Sequence, residues 1–198
     1  MRISLSLLAV VFVSFMLQML VSGYTEIFYF DPQNLMLWQF VTSIFLHGGL
    51  MHLIFNSYAL FAFGPVLESR IGRDNFAILF FASGIFGNLL YYVTILLGII
   101  PPIPALGASG AIFGIFGGLV ITDPEMRLLI FGIFPLKIRD AALMWFALEL
   151  IGAFNPGSGV ASAAHLGGLI VGYLLVKHYF RPKARQDMYY WRKYQDSY

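Results

Sequence analysis

The feature that most constrains this chain is a set of long apolar runs, the clearest being the 25 uncharged residues of Phe76–Ile100. As a helix rising 1.5 Å per residue, that run is about 37 Å long, which exceeds the bilayer's hydrocarbon core of about 30 Å. Only 11% of the 198 residues are charged, whereas soluble domains carry about 25%. The sequence therefore predicts an integral membrane protein.

Six stretches are candidate membrane spans, for which about 17–25 apolar residues are the usual length. They are Ile3–Val21, Leu50–Leu67, Phe76–Ile100, Ala105–Thr122, Ala141–Phe154 and Val160–Val176. We expect an all-α membrane protein in which a six transmembrane helix bundle occupies residues 1–180 as one domain. A further apolar run, Leu128–Leu136, would be only about 14 Å long as a helix, so we expect a short element at one membrane face.

The positions of Lys and Arg predict the orientation of the bundle, because cytoplasmic loops carry an excess of these residues. With the N-terminus inside, all 12 Lys and Arg fall in inner segments and none in outer ones. The inner segments are Met1–Arg2, Glu68–Asn75, Asp123–Asp140 and Lys177–Tyr198. We expect both termini to be cytoplasmic at the plasma membrane. The basic and aromatic tail, residues 181–198, is expected to lie on anionic lipid.

The first outer segment, Ser22–Gly49, is 28 residues long and rich in aromatic side chains. Loops of this length are usually either functional or disordered, and the aromatic content argues against disorder. We therefore expect an ordered loop that lies partly in the membrane interface, where aromatic rings are favoured.

Four polar side chains of the predicted spans fall at a similar depth below the outer surface. Ser109 lies about four residues, roughly 6 Å, into its span, and His165 about five residues, roughly 7.5 Å, into its own. His52 and Asn56 are four residues apart, so they share one helix face, and they enter from the same side. Polar side chains within the membrane are costly and usually functional, so we predict a site beneath the outer surface.

Small residues follow both Ser109 and His165 at helical spacing, a pattern that lets helix backbones approach closely in lipid. They are Gly110, Gly114, Gly117 and Gly118 in the fourth span, and Gly168 and Gly172 in the sixth. If these helices cross there, the hydroxyl of Ser109 comes within reach of the imidazole of His165. Such a pair can perform nucleophilic acyl transfer, and an Asn amide, a His N–H or a backbone N–H can stabilise the oxyanion.

Each of these polar residues also has a purely structural interpretation. A serine in a membrane helix can bond the carbonyl four residues back, and a buried His or Asn can be a hydrogen-bond partner between helices. For Glu149, in the fifth span, we expect this structural role, with the carboxyl group satisfied by a neighbouring helix. His47, which precedes the second span, is also expected to be structural rather than catalytic.

Several other mechanisms lack the residues that they need. The chain has no cysteine, which excludes disulfides and cysteine nucleophiles. It has no His-Glu-x-x-His motif, and every Asp falls in a loop or the tail, which argues against metallo- and aspartyl proteases. A channel or transporter would be expected to carry charged pairs at mid-membrane or broken inverted repeats, and none is evident. We expect no metal, no cofactor and no nucleic-acid partner.

Taken together, these motifs resemble those of the rhomboid family of intramembrane serine proteases. Gly107-Ala108-Ser109-Gly110 is similar to the family's nucleophile motif, and Ala164-His165 with the glycines that follow resembles its base motif. His52-x-x-x-Asn56 matches the family's oxyanion pair, and Glu68-Ser69-Arg70 resembles the Glu-x-Arg at the inner end of the second helix. The resemblance covers nearly the whole chain, from the first loop to the sixth helix.

Two positions depart from the family pattern. Trp38-Gln39 stands where the first loop of the family has a Trp-Arg pair, so the contacts of that Arg are not expected here. Phe113 stands where the family often has a tyrosine stacked on the catalytic histidine. Stacking is still expected at Phe113, whereas a phenol hydrogen bond is impossible.

The resemblance implies an intramembrane serine endopeptidase that hydrolyses peptide bonds in or near transmembrane segments of other proteins. Ser109 is then the nucleophile and His165 the general base, while His52, Asn56 and the backbone N–H of Ser109 bind the oxyanion. Transmembrane protein substrates and membrane lipid are the expected partners, and the short fifth helix is the expected lateral gate. The alternative is a non-catalytic rhomboid-like protein that binds or escorts membrane helices.

Overall fold

The computed structural model describes residues 2–130, 134–154 and 161–180 as a mostly helical protein. The helices are α1 Ile3–Leu20, α2 Tyr24–Phe28, α3 Gln39–Thr42, α4 Leu50–Ile71, α5 Arg73–Leu96, α6 Ser109–Thr122, α7 Ile138–Gly152 and α8 Ser162–His178. A 3₁₀ turn, Ser43–Phe45, follows α3, and two strands, β1 Arg127–Ile130 and β2 Phe134–Lys137, lie between α6 and α7. The predicted tail, residues 181–198, lies outside the described residues.

A helix occupies each of the six positions predicted for a span, but the helices differ in length. Among the described residues, α1, α4 and α5 are long and apolar enough to cross a membrane, and α6 is a shorter apolar helix. The protein is therefore an integral membrane protein with a mostly helical fold. A total of six crossings stays a prediction.

Helix α6 lies at the centre of the fold, which agrees with its sequence. It contains no charged residue and packs against α4, α5, α7 and α8. A helix that is apolar on all sides is typical of a position enclosed by other helices. The residues of its first turn are therefore held by the whole bundle.

The contact between α6 and α8 is a backbone contact made at the predicted glycines. A Cβ atom on Gly168 would clash with the carbonyl oxygen of Gly110, and a Cβ atom on Gly172 would clash with that of Gly114. A Cβ atom on Gly117 would likewise clash with the carbonyl oxygen of Leu169. The predicted close crossing of these helices is confirmed, because no residue larger than glycine fits at these positions.

At the end of the bundle opposite Ser109, polar side chains tie the helices together. The carboxylate of Glu68 accepts hydrogen bonds from the backbone N–H groups of Ile3 and Ser4, at 2.8 and 3.0 Å, and from the Ser4 hydroxyl at 2.7 Å. These N–H groups begin α1 and have no partner within the helix. Arg70 forms a two-pronged ion pair with Asp123 after α6, at 2.9 and 2.8 Å. The Glu-x-Arg motif thus joins α4 to its neighbours.

Two helix boundaries differ from the predicted spans, and the start of α6 has a clear physical reason. The fourth span was expected to begin at Ala105 and the third to end at Ile100, but α6 begins at Ser109 and α5 ends at Leu96. Ala105 is extended because its N–H and C=O both pair with the backbone of Phe30, each at 2.9 Å. This long-range bridge makes Ser109 the first residue of its helix rather than the fifth of a longer one.

The described residues of the run Leu128–Leu136 lie in two paired antiparallel strands, β1 and β2, with Arg127 opposite Lys137 and Ile130 opposite Phe134. The elements are short, as expected, but they are extended, so the fold is not purely α-helical. Their position at one membrane face stays a prediction. The first loop is ordered as expected: it contains α2 and α3, and its Phe30 side chain is fully buried. The amide of Asn88 on α5 holds this loop by donating to the Phe40 carbonyl at 3.0 Å and the Ser43 hydroxyl at 2.9 Å.

We predict that Gly168→Ala and Gly172→Ala each destabilise the protein by at least about 1–3 kcal/mol, because the added methyl group must push two helix backbones apart. Thermal unfolding in detergent measures the effect. Ile170→Ala, on the exposed face of the same helix, is the control and should change the unfolding midpoint little. Equal midpoints for all three variants would contradict the backbone contact.

Candidate active site

Ser109 is placed by a glycine turn at the start of α6. The N–H of Gly107 donates to the Ser43 carbonyl at 2.9 Å. Gly107 has a φ of +129°, a backbone conformation that residues other than glycine rarely adopt. A Cβ atom there would also lie 2.9 Å from Nε2 of His52 and 2.7 Å from its Cε1. Glycine is therefore required for the turn to pass between His52 and Ser109.

The structure brings Ser109 and His165 into direct contact. Nε2 of His165 lies 2.7 Å from Oγ of Ser109, although the residues are 56 positions apart. The His165 ring stacks on the ring of Phe113, with centroids 4.4 Å apart and planes 5° apart. The expected stacking is thus present, and it fixes the plane in which the imidazole meets the serine.

A carboxylate lies on the side of the His165 imidazole that faces away from Ser109. Oε1 of Glu149, on α7, lies 2.8 Å from Nδ1 of His165. The expectation that Glu149 is satisfied by a neighbouring helix is confirmed, but the identity of its partner was missed. One sequence signal could have indicated it, because Glu149 is the only acidic residue within the six predicted spans.

His52 lies on the other side of Ser109, with one nitrogen already engaged. Nδ1 of His52 accepts a hydrogen bond from the Gly48 N–H at 3.2 Å. In the neutral ring the proton must then be on Nε2, which is directed toward the turn before Ser109. His52 is therefore arranged as a hydrogen-bond donor.

The side-chain amide of Asn56 is already engaged in a hydrogen bond within α4. Its Nδ2 donates to the backbone carbonyl of His52 at 2.8 Å, so one of the two amide hydrogens is occupied. This bond forms because a carbonyl four residues back is within reach of an Asn side chain on a helix. The second hydrogen remains for another acceptor, and Asn56 lines the same cavity as Ser109.

Two cavities meet at Ser109. The first, about 550 Å³, is lined by all four predicted site residues together with the segment from Ile100 to Leu106. The second, about 420 Å³, lies between α4, α6 and α7 and is lined mostly by apolar and aromatic side chains, among them Phe55, Phe63, Phe116 and Trp145. Ser109 and Asn56 line both cavities, so the serine can be approached from two directions.

His47 has a structural position beside the site. Its ring is 2% exposed and lies 5.1 Å from the ring of His52, edge to face. Burial, and then the nearby His52, lower the pKa of His47 to about 4, so it is neutral near pH 7. Its backbone is clamped by Gln18, which accepts from the His47 N–H at 2.9 Å and donates to its carbonyl at 3.2 Å. No sequence pattern predicted this pair of hydrogen bonds.

Gln39, in the first loop, also has a structural role. Oε1 of Gln39 accepts hydrogen bonds from the N–H groups of Asp31 and Met36, at 3.1 and 3.2 Å. The side chain is 3% exposed. A neutral amide thus closes the turn from Asp31 to Gln39.

The fold and this group of residues define an integral membrane protein with a serine, a histidine and a glutamate in line beside two cavities. The Rhomboid domain family model matches residues 34–182, most of the chain. The chain therefore belongs to the rhomboid family.

Three relatives illustrate the similarity. YdcA, a rhomboid protein of Bacillus subtilis (strain 168), is 39% identical over 138 residues, which cover 70% of this chain and 65% of YdcA. Rhomboid protease GluP of the same organism is 31% identical over 147 residues, 74% of this chain and 27% of GluP. Rhomboid-like protease 3 of Toxoplasma gondii is 31% identical over 166 residues, 80% of this chain and 57% of that protein. This chain thus spans less than two thirds of the length of each of these relatives.

Proposed function

We propose that this protein is an intramembrane serine endopeptidase that uses Ser109 as nucleophile and His165 as general base. The observation that carries the proposal is the 2.7 Å contact between Oγ of Ser109 and Nε2 of His165 beside a cavity of about 550 Å³. A serine hydroxyl is a weak nucleophile until a neighbouring base removes its proton. Histidine suits this task because its proton affinity matches near-neutral pH.

In the proposed reaction, Oγ of Ser109 attacks the scissile carbonyl carbon while its proton passes to Nε2 of His165. The tetrahedral intermediate collapses as the imidazolium returns that proton to the leaving amine, which leaves an acyl-enzyme ester. His165 then deprotonates a water molecule that hydrolyses the ester and releases Ser109. No group outside the chain is required besides water.

Three donors are available for the negative charge that forms on the carbonyl oxygen. They are the Nε2–H of His52, the second amide hydrogen of Asn56 and the backbone N–H of Ser109. Because Ser109 begins α6, its N–H has no acceptor within the helix. Donors of this kind contribute most when the charge develops in a site that is poor in water.

The apolar cavity between α4 and α7 supports a membrane-embedded segment as the substrate. Its aromatic lining suits the side chains of a transmembrane helix rather than a soluble peptide, and it leads to Ser109. Helix α7 has only 15 residues and exposes large apolar side chains, including Leu143, Leu148 and Ile151. We propose that α7 is the lateral gate and that transmembrane proteins are the substrates.

The proposed orientation places both termini in the cytoplasm and the site near the outer face of the plasma membrane. It rests on the position of Lys and Arg in the sequence. The described basic side chains agree with it, since Arg70, Lys137 and Arg139 lie near the ends of helices opposite Ser109.

We predict that Ser109→Ala and His165→Ala each lower kcat for a model transmembrane substrate by more than about a thousandfold. Because the two residues act as a unit, the double variant should be no slower than either single variant. The measurement is cleavage in proteoliposomes, normalised to folded protein. Ser69→Ala is the matched control, because its hydroxyl bonds only the Val66 carbonyl at the far end of α4, at 2.6 Å. Undiminished cleavage by Ser109→Ala would contradict the proposal.

We predict that Asn56→Ala lowers kcat by about 10–10³-fold with little change in KM, because an oxyanion donor acts mainly in the transition state. If Asn56 served only to bond the His52 carbonyl, the variant would instead lose about 0.6–2 kcal/mol of stability with an unchanged kcat per folded molecule. Thermal unfolding and kcat, measured on one preparation, distinguish these outcomes.

A further inference from the structure

We propose that Glu149 is a positioning residue for His165, so that the proposed protease operates with a glutamate–histidine–serine line whose glutamate is carried by the gate helix. The inference rests on the proposed function of Ser109 and His165. It assigns to α7 a part in the chemistry as well as in substrate access.

The geometry that carries the inference is a continuous chain of short contacts. Oε1 of Glu149 lies 2.8 Å from Nδ1 of His165, and Nε2 of the same ring lies 2.7 Å from Oγ of Ser109. The side chains of His165 and Glu149 are 11% and 16% exposed, so water competes little for either partner. The carboxylate therefore faces the nitrogen that does not meet the serine.

This arrangement determines which nitrogen of the neutral imidazole carries the proton. A carboxylate can only accept hydrogen bonds, so Nδ1 of His165 must donate to Glu149. The lone pair is then on Nε2, where it can accept the proton of Ser109. Without Glu149 the ring can adopt the other tautomer, which presents an N–H to the serine and cannot act as its base.

The carboxylate also acts after the proton has moved. When Ser109 attacks, His165 becomes a cation in a site that excludes much of the surrounding water. A negative charge 2.8 Å away stabilises that cation, and the stabilisation is greater in the transition state than in the resting state. Glu149 is therefore expected to change kcat more than KM.

The stacked Phe113 holds the imidazole in this alignment by fixing its ring plane. Because Glu149 is on α7, an outward movement of that helix would withdraw the carboxylate from His165. Full activity therefore requires α7 to be close to α8 while the bond is cut.

The competing explanation is that Glu149 only ties α7 to α8. Glu149→Gln separates the two roles, because the Gln carbonyl can still accept the Nδ1–H but carries no charge. A tie between helices would survive this change, whereas stabilisation of the imidazolium would not.

The experiment compares kcat, KM and the thermal unfolding midpoint of the wild type, Glu149→Gln and Glu149→Ala in proteoliposomes. We expect Glu149→Gln to lower kcat at least about tenfold, with KM within about threefold and an unchanged midpoint. The upper bound is the loss of about 10⁴-fold that follows when the Asp of a Ser-His-Asp triad is replaced by Asn. Asp140→Asn is the control, since it removes a half-exposed carboxylate from the first turn of the same helix, and its kcat should equal that of the wild type. A wild-type kcat for folded Glu149→Gln would overturn the proposal.

A measurement that does not depend on proteolysis separates this proposal from the proposed function. In ¹⁵N-histidine-labelled protein, the Nδ1–H of His165 should give a strongly downfield proton resonance that disappears in Glu149→Ala and His165→Asn. Persistence of that resonance in Glu149→Ala would overturn the role of Glu149 whether or not the protein cleaves. Its disappearance in a protein without any protease activity would support the orientation of His165 by Glu149 and contradict the proposed function.

Discussion

The backbone contact between α6 and α8 is the constraint on which the rest of the site depends. Gly168 and Gly172 meet the carbonyl groups of Gly110 and Gly114 with no room for a Cβ atom. In lipid there is no hydrophobic force between apolar helices, so close packing of this kind is a main source of their association. It places the first turn of α6 beside the first turn of α8, and those turns carry Ser109 and His165.

The remaining interactions can be understood as fixing these two turns against the other helices. The turn at Gly107 is bound to the Ser43 carbonyl, and Asn88 binds the same segment from α5. At the opposite end, Glu68 and Arg70 connect α4 to α1 and to the end of α6. Polar contacts at both ends of the bundle thus hold α4 and α5 against their neighbours.

The sequence predicted much of this arrangement because the relevant patterns are local. Glycine spacing identified the close crossing, and the common depth of Ser109 and His165 followed from the distribution of Lys and Arg. The start of α6 at Ser109 could not be predicted, since it depends on the pairing of Ala105 with Phe30, 75 positions earlier in the chain. The pairing of β1 with β2 was not predicted, because a short apolar run fits a short helix or strands equally well. The pairing of Glu149 with His165 depends on the tertiary packing of α7 against α8. This packing produces no periodic pattern in the sequence that would identify the partner.

Covalent labelling is the most direct test of whether Ser109 is a nucleophile activated by His165. A fluorophosphonate probe reacts with an activated serine and remains attached, so mass spectrometry of the labelled protein identifies the residue. We expect one modified residue, Ser109, in the wild type, and loss of the modification in His165→Ala while that variant remains folded. Absence of label on Ser109 in folded wild-type protein, or equal labelling in His165→Ala, would contradict it.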